Sequence, residues 1–283
     1  MNDDASIRTM ALRLCFEPQL ASWKEIAVGE NPILRTLLDR KSVRRYKPEM
    51  PPAEAVEAVV RAGQQAPFAA QMGSVLLSRD GEKHPFRAPL LFTVLVDVHR
   101  LERVLSARGW TRRTCDLAIL LFGIQDAAYM AENMVIAAEA LGLGSCFLGM
   151  APFRAADLKT EYGLPDRVFP LVQLTMGYPA EDSPPRPRYP LPFALYEGRY
   201  PEDDGEALEE ALATMDQGYL AQDYYRKAGY MVKLEGEREE AHTFATYGWT
   251  EHMGRKWGQW MSDPEAVLAQ LRACGFDLTD GGG

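Results

Sequence analysis

The sequence predicts an α+β or α/β domain with helices flanking a sheet, and three observations carry that class. Apolar residues recur at helical spacing over 53–65 and 126–141, short apolar runs at 74–78, 90–98 and 171–177 read as strands, and the two kinds alternate along the chain. With 283 residues, 47% of them hydrophobic and 25% charged, the chain is long enough for one large domain or two small ones.

The elements follow in order. Asn31 can cap a helix, Pro32 fits its first position, and Ile33, Leu34, Leu37 and Leu38 form its apolar stripe. Ala55, Val56, Val59, Val60 and Gly63 place a second helix over 53–65, which Pro67–Gly73 joins to a strand over 74–78. The run 90–98 is a further strand. Ala127, Met130, Ala131, Met134, Val135, Ala138 and Leu141 predict a central, deeply packed helix from Asp126 to Leu141. Gly142 then supplies a left-handed helix end, and SCFLG follows as a short buried strand. Leu171–Gly177 is the next strand, and beyond Tyr200 the chain is helical and charged, most clearly over 206–225 and 263–274. Two Pro-rich punctuations, at 48–52 and 183–192, mark the edges of a central unit.

Composition excludes several classes of function. A net charge of −9 argues against a broad nucleic-acid surface, so no nucleic-acid partner is expected, and a local basic cluster reads as a pocket for one small anion. The four cysteines, Cys15, Cys115, Cys146 and Cys274, have no metal spacing and read as reduced, buried thiols; no metal site is expected. The start MNDDASIRTM is too polar for a signal peptide, and uninterrupted apolar stretches such as LLFTVLV fall short of a membrane span, so a cytoplasmic protein without a membrane partner is expected.

The most informative stretch is DRKSVRRYKPEMPPAE, where Arg40, Lys41, Arg44, Arg45 and Lys47 surround Ser42 just after a helix end. Guanidinium forks and a hydroxyl suit the oxygens of a dianionic phosphate, although cations in a last turn also complement the helix dipole. Arg186 and Arg188 alternate in PPRPRYP, where prolines extend the backbone and point both side chains the same way; an exposed linker gives the same pattern. In LGLGSCFLGM, Gly149 just past the strand lets backbone N–H groups approach a flat ligand. The glycines of GLG follow a helix rather than opening one, so they are not a dinucleotide fingerprint.

Together RKSVRRY with its following proline, QDAAYMAENMVIAAEALGLGSCFLGM, LVQLTMGYP and PPRPRYP resemble the FMN-dependent nitroreductase family, in its branch of NADPH-linked nitroreductases and flavin reductases. YYRKAG and GWTEHMGRKW match that branch more weakly, and the resemblance spans about residues 31–278. It implies a nitroreductase-like α+β fold with a central, mostly antiparallel sheet flanked by helices, as an interlocked homodimer. It also implies an N-terminal extension over 1–30, an FMN-binding core over 31–200, and a C-terminal helical extension over 201–283 for dimer contacts and a substrate-site lid.

By the same resemblance Arg40, Lys41 and Ser42 hold phosphate and ribityl oxygens, Arg44 approaches the flavin N1–O2 edge, and Arg186 and Arg188 contact the phosphate. Leu148 and Gly149 lie at flavin N5, with the Gly149 N–H as donor, and Gln71 sets its amide against the isoalloxazine ring. Arg44 and Gly149 are thus the expected catalytic positions. A fixed cation at the N1–O2 edge stabilises the negative charge that two-electron reduction places there. The implied activity is ping-pong transfer from NADPH or NADH to a small-molecule electron acceptor: a nitroaromatic, a quinone or free flavin.

The chain also departs from that pattern. The loop APFAAQMG is apolar where relatives are Ser- or Asn-rich, and Glu82 stands where they carry a flavin-contacting Gln, so Glu82 is left out of the site. GEREEAHTFATYGW lacks the Arg pair expected for the NADPH 2′-phosphate, with Arg226, Lys227 and Arg238 as nearby alternatives. These departures favour two further possibilities, a reductase or dehalogenase specialised for one small molecule, or a flavin-binding protein without nicotinamide-driven turnover. His84, His99, His242 and His252 read as surface or hydrogen-bonding residues, and Trp249, Trp257 and Trp260 as core or dimer packing.

Overall fold

A four-stranded antiparallel sheet organises the first part of the chain: β1 (Gly73–Ser78), β2 (Leu90–Asp97), β3 (Gly144–Leu148) and β4 (Val168–Gly177), in the order β1-β2-β4-β3. Every pairing is antiparallel, which decides for α+β over α/β. The computed structural model describes residues 31–202, 205–260 and 263–278. They divide into two compact units, 31–183 with 267–278, and 184–266. The expected extension over 1–30, and Cys15, lie outside the described residues.

In the first unit, α1 (Pro32–Asp39) begins as expected, because Asn31 Oδ1 accepts the Ile33 and Leu34 N–H groups at 2.9 and 3.2 Å. The helix α2 (Ala53–Gln64) buries Val56, Val59 and Gly63. Strand β2 is central and buried from Leu90 to Val96. Strand β4 starts earlier than its apolar run suggests, passing through Pro170 beside a register shift at Val94/Leu95; such an irregularity tolerates the missing proline N–H. Two helices escape the sequence reading, α3 (Val98–Ala107) and α5 (Ala155–Tyr162).

The central helix α4 runs over Asp116–Ala140, ten residues earlier than expected. Its first turns, DLAILLFGIQ, are apolar on every side, so no helical period shows there. By length and composition α4 could cross a membrane, contrary to the expectation from uninterrupted apolar runs. It packs instead on the sheet and on α2, burying Ile119, Leu120, Ala127, Met130, Ala131, Met134, Val135 and Ala138. A buried residue of Met134's kind contributes about 2 kcal/mol. Gly142, at φ +74°, ends this region in the left-handed conformation expected of it.

The C-terminal residues return to this unit through an ionic clamp. Arg167 donates both Nη groups to Asp116, at 2.6 and 2.7 Å, and also Nη1 to the Gly275 carbonyl at 2.6 Å, while its guanidinium lies 4.5 Å from the Phe276 ring. Arg112 pairs with Glu102 and Asp116 at 3.0 and 2.6 Å. Arg167, followed by burial and the Asp277 N–H, sets the Asp116 carboxyl, and the balance holds it well below the usual carboxylate range. Leu271, Cys274 and Phe276 enter the core behind the clamp.

The second unit contains α6 (Gly205–Ala221), α7 (Tyr224–Ala228) and α8 (Trp249–Gln259). The expected helix over 206–225 breaks before α7, at Asp223, whose φ is +52°. Arg255, 3% exposed, bonds Glu251 at 2.6 Å, Glu240 at 2.6 and 2.8 Å and the Val232 carbonyl at 3.0 Å. Trp257 and Trp260 are 62% and 43% exposed, so they are not core residues of this chain. Cys115 is exposed, which corrects the expectation of a buried thiol, whereas Cys146 and Cys274 are buried and free.

Candidate active site

The basic stretch forms an added strand-like edge beside β3. Val43 donates its N–H to the Ser145 carbonyl at 2.8 Å, Ser42 bridges Ser145 in parallel, and Tyr46 bridges Pro179 in antiparallel sense. Gly144 permits the approach, because a Cβ there would lie 2.5 Å from Val43 Cγ2. Tyr46 locks the turn from below: its hydroxyl donates to the Val43 carbonyl at 2.6 Å and shares a hydrogen bond with Thr175 Oγ1 at 2.9 Å. Burial pushes its phenol up, so it stays neutral.

Within this edge Arg40 is half-buried, and its Nη1 is buried without a hydrogen-bond partner among the described residues. The Ser145 hydroxyl is likewise buried and unpartnered there. Glu139 Oε1 is a third buried atom without a partner there, so the edge holds an orphaned carboxylate oxygen beside an orphaned guanidinium nitrogen, and the latter is free to donate to an anion's oxygen. Lys41 pairs with Asp182 at 2.6 Å, and the Arg44 N–H donates to Glu181 Oε1 at 2.6 Å. Lys41, Glu139, Glu181 and Asp182 border a cavity of about 300 Å³. Burial raises the Glu139 carboxyl, with Arg40 and Lys41 opposing the rise. The Asp182 side chain is 94% exposed, so the Lys41 pair is readily exchanged for another anion. Arg44, Arg45 and Lys47 are exposed.

Leu148 and Gly149 stand at the opposite end of β3 from Ser145. The step from Ser145 to Leu148 covers roughly 10 Å at the rise of a strand, so the strand spaces the basic edge from Gly149. Gly149 is exposed, and the position of a Cβ on it meets nothing within 4 Å. That open backbone leaves room for a flat ligand.

Gln71 lies elsewhere. Leu148 pairs with Gln173, which stands opposite Thr93 and then Leu76, so β1 is three strands from β3. That separation is about 14 Å across the sheet, and Gln71 lies a further five residues beyond Leu76. One chain therefore does not set Gln71 and Gly149 on the same edge of a ligand. Gln71 lines a separate cavity of about 460 Å³ with Gln64, Phe68, Ser74, Arg100 and Asp126. Its loop is held by Asp126, which the sequence alone marks only as the start of a helix. The signal in the sequence was a lone carboxylate on an otherwise apolar helix face.

Arg186 and Arg188 belong to the second unit. Arg186 donates to Gln222 Oε1 at 2.7 Å and lies 4.1 Å over the Tyr224 ring, while Arg188 Nη1 donates to the carbonyls of Arg186 and Pro187, each at 3.0 Å. Glu82 is exposed in the turn before His84, and His84 is buried with hydrogen bonds to Ser78 Oγ and the Ala88 carbonyl at 2.7 and 2.8 Å.

Known proteins resemble this chain in sequence and fold. The family model described as the nitroreductase family matches residues 37–80 and 81–178. An "FMN reductase (NADPH)" of Bacillus subtilis is 26% identical over 226 residues, covering 74% of this chain and 88% of that protein. An "NADPH-dependent oxidoreductase" of Staphylococcus aureus is 30% identical over 199 residues, covering 62% and 76%. The solved structure of NfrA2 from B. megaterium superposes with a TM-score of 0.74 at 23% identity, covering 87% of this chain and 98% of that one, a likeness of fold. The basic edge, β3 and the antiparallel sheet all fall within the matched residues, and on that match the chain belongs to the nitroreductase family.

Proposed function

We propose that this chain is an FMN-dependent oxidoreductase that takes hydride from NAD(P)H and reduces a small acceptor, a nitroaromatic, a quinone or free flavin, in ping-pong fashion. The observation that carries this is the basic edge docked on β3, with the buried, unpartnered Arg40 Nη1 at one end of the strand and the open Gly149 at the other. Bound FMN supplies the chemistry, a carrier that accepts two electrons from a nicotinamide and releases them to a second substrate.

The chain's own residues bind and polarise. Arg40, Lys41 and Ser42 hold phosphate and ribityl oxygens. Arg44 offers its exposed cation to the N1–O2 edge, and the Gly149 N–H donates at N5. No side chain has to move a proton for hydride transfer itself, so catalysis rests on placement.

The enzyme acts as a homodimer. Leu117, Leu121, Phe122 and Tyr129, 46% to 53% exposed, share one face of α4, an apolar surface of the kind a second copy covers. A second copy also reconciles Gln71 with Gly149, since each flavin then takes Gln71 from one chain and Gly149 from the other. A nicotinamide-linked reductase of this type works in the cytoplasm, where its reductant is.

Titration of the purified protein with FMN, followed by fluorescence quenching, tests the cofactor. Saturable quenching is expected, and steady-state kinetics with NADPH or NADH and a quinone should give parallel double-reciprocal lines. Converging lines would exclude ping-pong, and unquenched FMN would exclude the flavoprotein.

A further inference from the structure

We propose that Asp126 and Arg100 are positioning residues that hold Gln71 in a strained conformation so that its amide is presented to the pyrimidine edge of the flavin; this rests on the FMN reading above. Gln71 has φ +52°, in the left-handed region that residues other than glycine seldom adopt. Such a backbone persists only where its surroundings over-determine it. Two charged side chains do so here. Asp126, 3% exposed within α4, accepts the Ala69 N–H on Oδ1 at 2.6 Å and the Ala70 and Met72 N–H groups on Oδ2, each at 3.0 Å. Arg100 Nη2 donates to the carbonyls of Gln71 and Gly73, the latter at 2.8 Å.

The backbone around Gln71 is thus gripped on its N–H side by a buried carboxylate and on its carbonyl side by a guanidinium. The Gln71 side chain, by contrast, is exposed, its amide has no hydrogen-bond partner among the described residues, and it borders the 460 Å³ cavity. A loop that needed only anchoring would be served by residues without backbone strain. Spending a buried charge on three amides to fix a strained residue with a free amide fits a residue that must meet a ligand. An amide offers one donor face and one acceptor face, which matches the alternating C=O and N–H groups of a pyrimidine edge. The cavity's other polar members are the uncharged Gln64, Gln65 and Ser74 and the charged Arg100 and Asp126, whose charges are engaged by the loop backbone, so amides and a hydroxyl are left to meet a neutral planar edge.

The test is a double-mutant cycle read by FMN affinity and by the shape of the bound flavin's absorption band. Asp126→Asn keeps the shape of the side chain but sets an NH₂ group against backbone N–H groups, and Gln71→Ala removes the amide. Each should weaken FMN binding about tenfold, the scale of one charge-assisted contact, with the same spectral change. Asp126→Asn/Gln71→Ala should be no worse than Gln71→Ala, and Gln71→Asn, which tolerates the left-handed region, should recover part of the affinity. Wild-type affinity in Asp126→Asn, or additive losses in the double variant, would overturn the positioning role while leaving the flavin reading intact. Wild-type protein that binds no FMN would overturn both. Should Asp126→Asn lose its far-UV circular dichroism, Arg100→Gln takes its place in the cycle, because Arg100 is exposed and its loss strands no charge.

Discussion

Val43 is tied to Ser145 by an N–H to carbonyl hydrogen bond of 2.8 Å, and this bond makes the basic stretch and the strand that leads to Gly149 a single rigid piece. The stretch would otherwise be a solvated helix end. Docked on β3, its cations sit at a fixed distance from the strand's other end, where a flat ligand has open backbone to lie on.

That docking depends on Gly144. Gly144→Ala would set a methyl 2.5 Å from Val43 Cγ2, against a side chain that is 3% exposed. Overpacking of this kind costs about 1–3 kcal/mol. Chemical denaturation should show that loss, accompanied by weaker FMN retention. Unchanged retention would separate the edge from the cofactor.

Arg44 and Arg40 should behave differently on substitution. Arg44→Ala removes a cation proposed to stabilise charge that appears only on reduction, so the flavin's reduction rate should fall more than its affinity. Arg40→Ala should mainly raise the FMN dissociation constant. Stopped-flow reduction paired with equilibrium binding distinguishes the two, and the reverse pattern would refute both roles.

The clamp on the C-terminal residues carries a pH dependence of stated sign. Asp116 has a depressed carboxyl, so its contribution is present above the unfolded carboxylate value, about 3.9, and is lost as pH falls toward the folded one. Arg167→Ala would leave Asp116 with only Arg112 and backbone partners, in a site where the two clamp side chains are 14% and 11% exposed. A loss of about 3 kcal/mol is expected. Hydrogen exchange should then rise over 267–278 before it rises in β2.

In the second unit His252 reports on pH with the opposite chemistry and the same direction. The Tyr247 hydroxyl accepts the Val232 N–H at 3.0 Å and so can give its proton to His252 Nδ1 at 3.2 Å, which requires a neutral imidazole. Burial, then Lys256, pushes the His252 value down. The unfolded chain therefore binds the proton more readily, and stability of this unit should fall as pH drops through about 6.5. His252→Gln should flatten that dependence in melts recorded from pH 8 to pH 5.

Local chemistry made part of this legible in the sequence. Asn31 with Pro32, Gly142 after an apolar stripe, and the run SCFLG each announce an element through neighbours in the chain, and each lies where expected. The basic edge was recognisable because its cations are adjacent. What stayed hidden depends on distant partners. Asp126 looks like a first-turn acid until the loop over 69–72 folds onto it, and Arg167 gives no sign of Asp116 fifty-one residues away. The first turns of α4 were hidden for another reason: a helix apolar all round has no period to read. The separation of Gln71 from Gly149 follows from strand order, which no local pattern encodes.

The most direct test mixes the FMN-loaded protein anaerobically with NADPH or NADH and follows the flavin absorbance, then adds a nitroaromatic or a quinone. Bleaching with at least one nicotinamide, and recovery of the oxidised spectrum on addition of the acceptor, is the predicted result. A flavin that stays oxidised with both nicotinamides would contradict the proposed reaction.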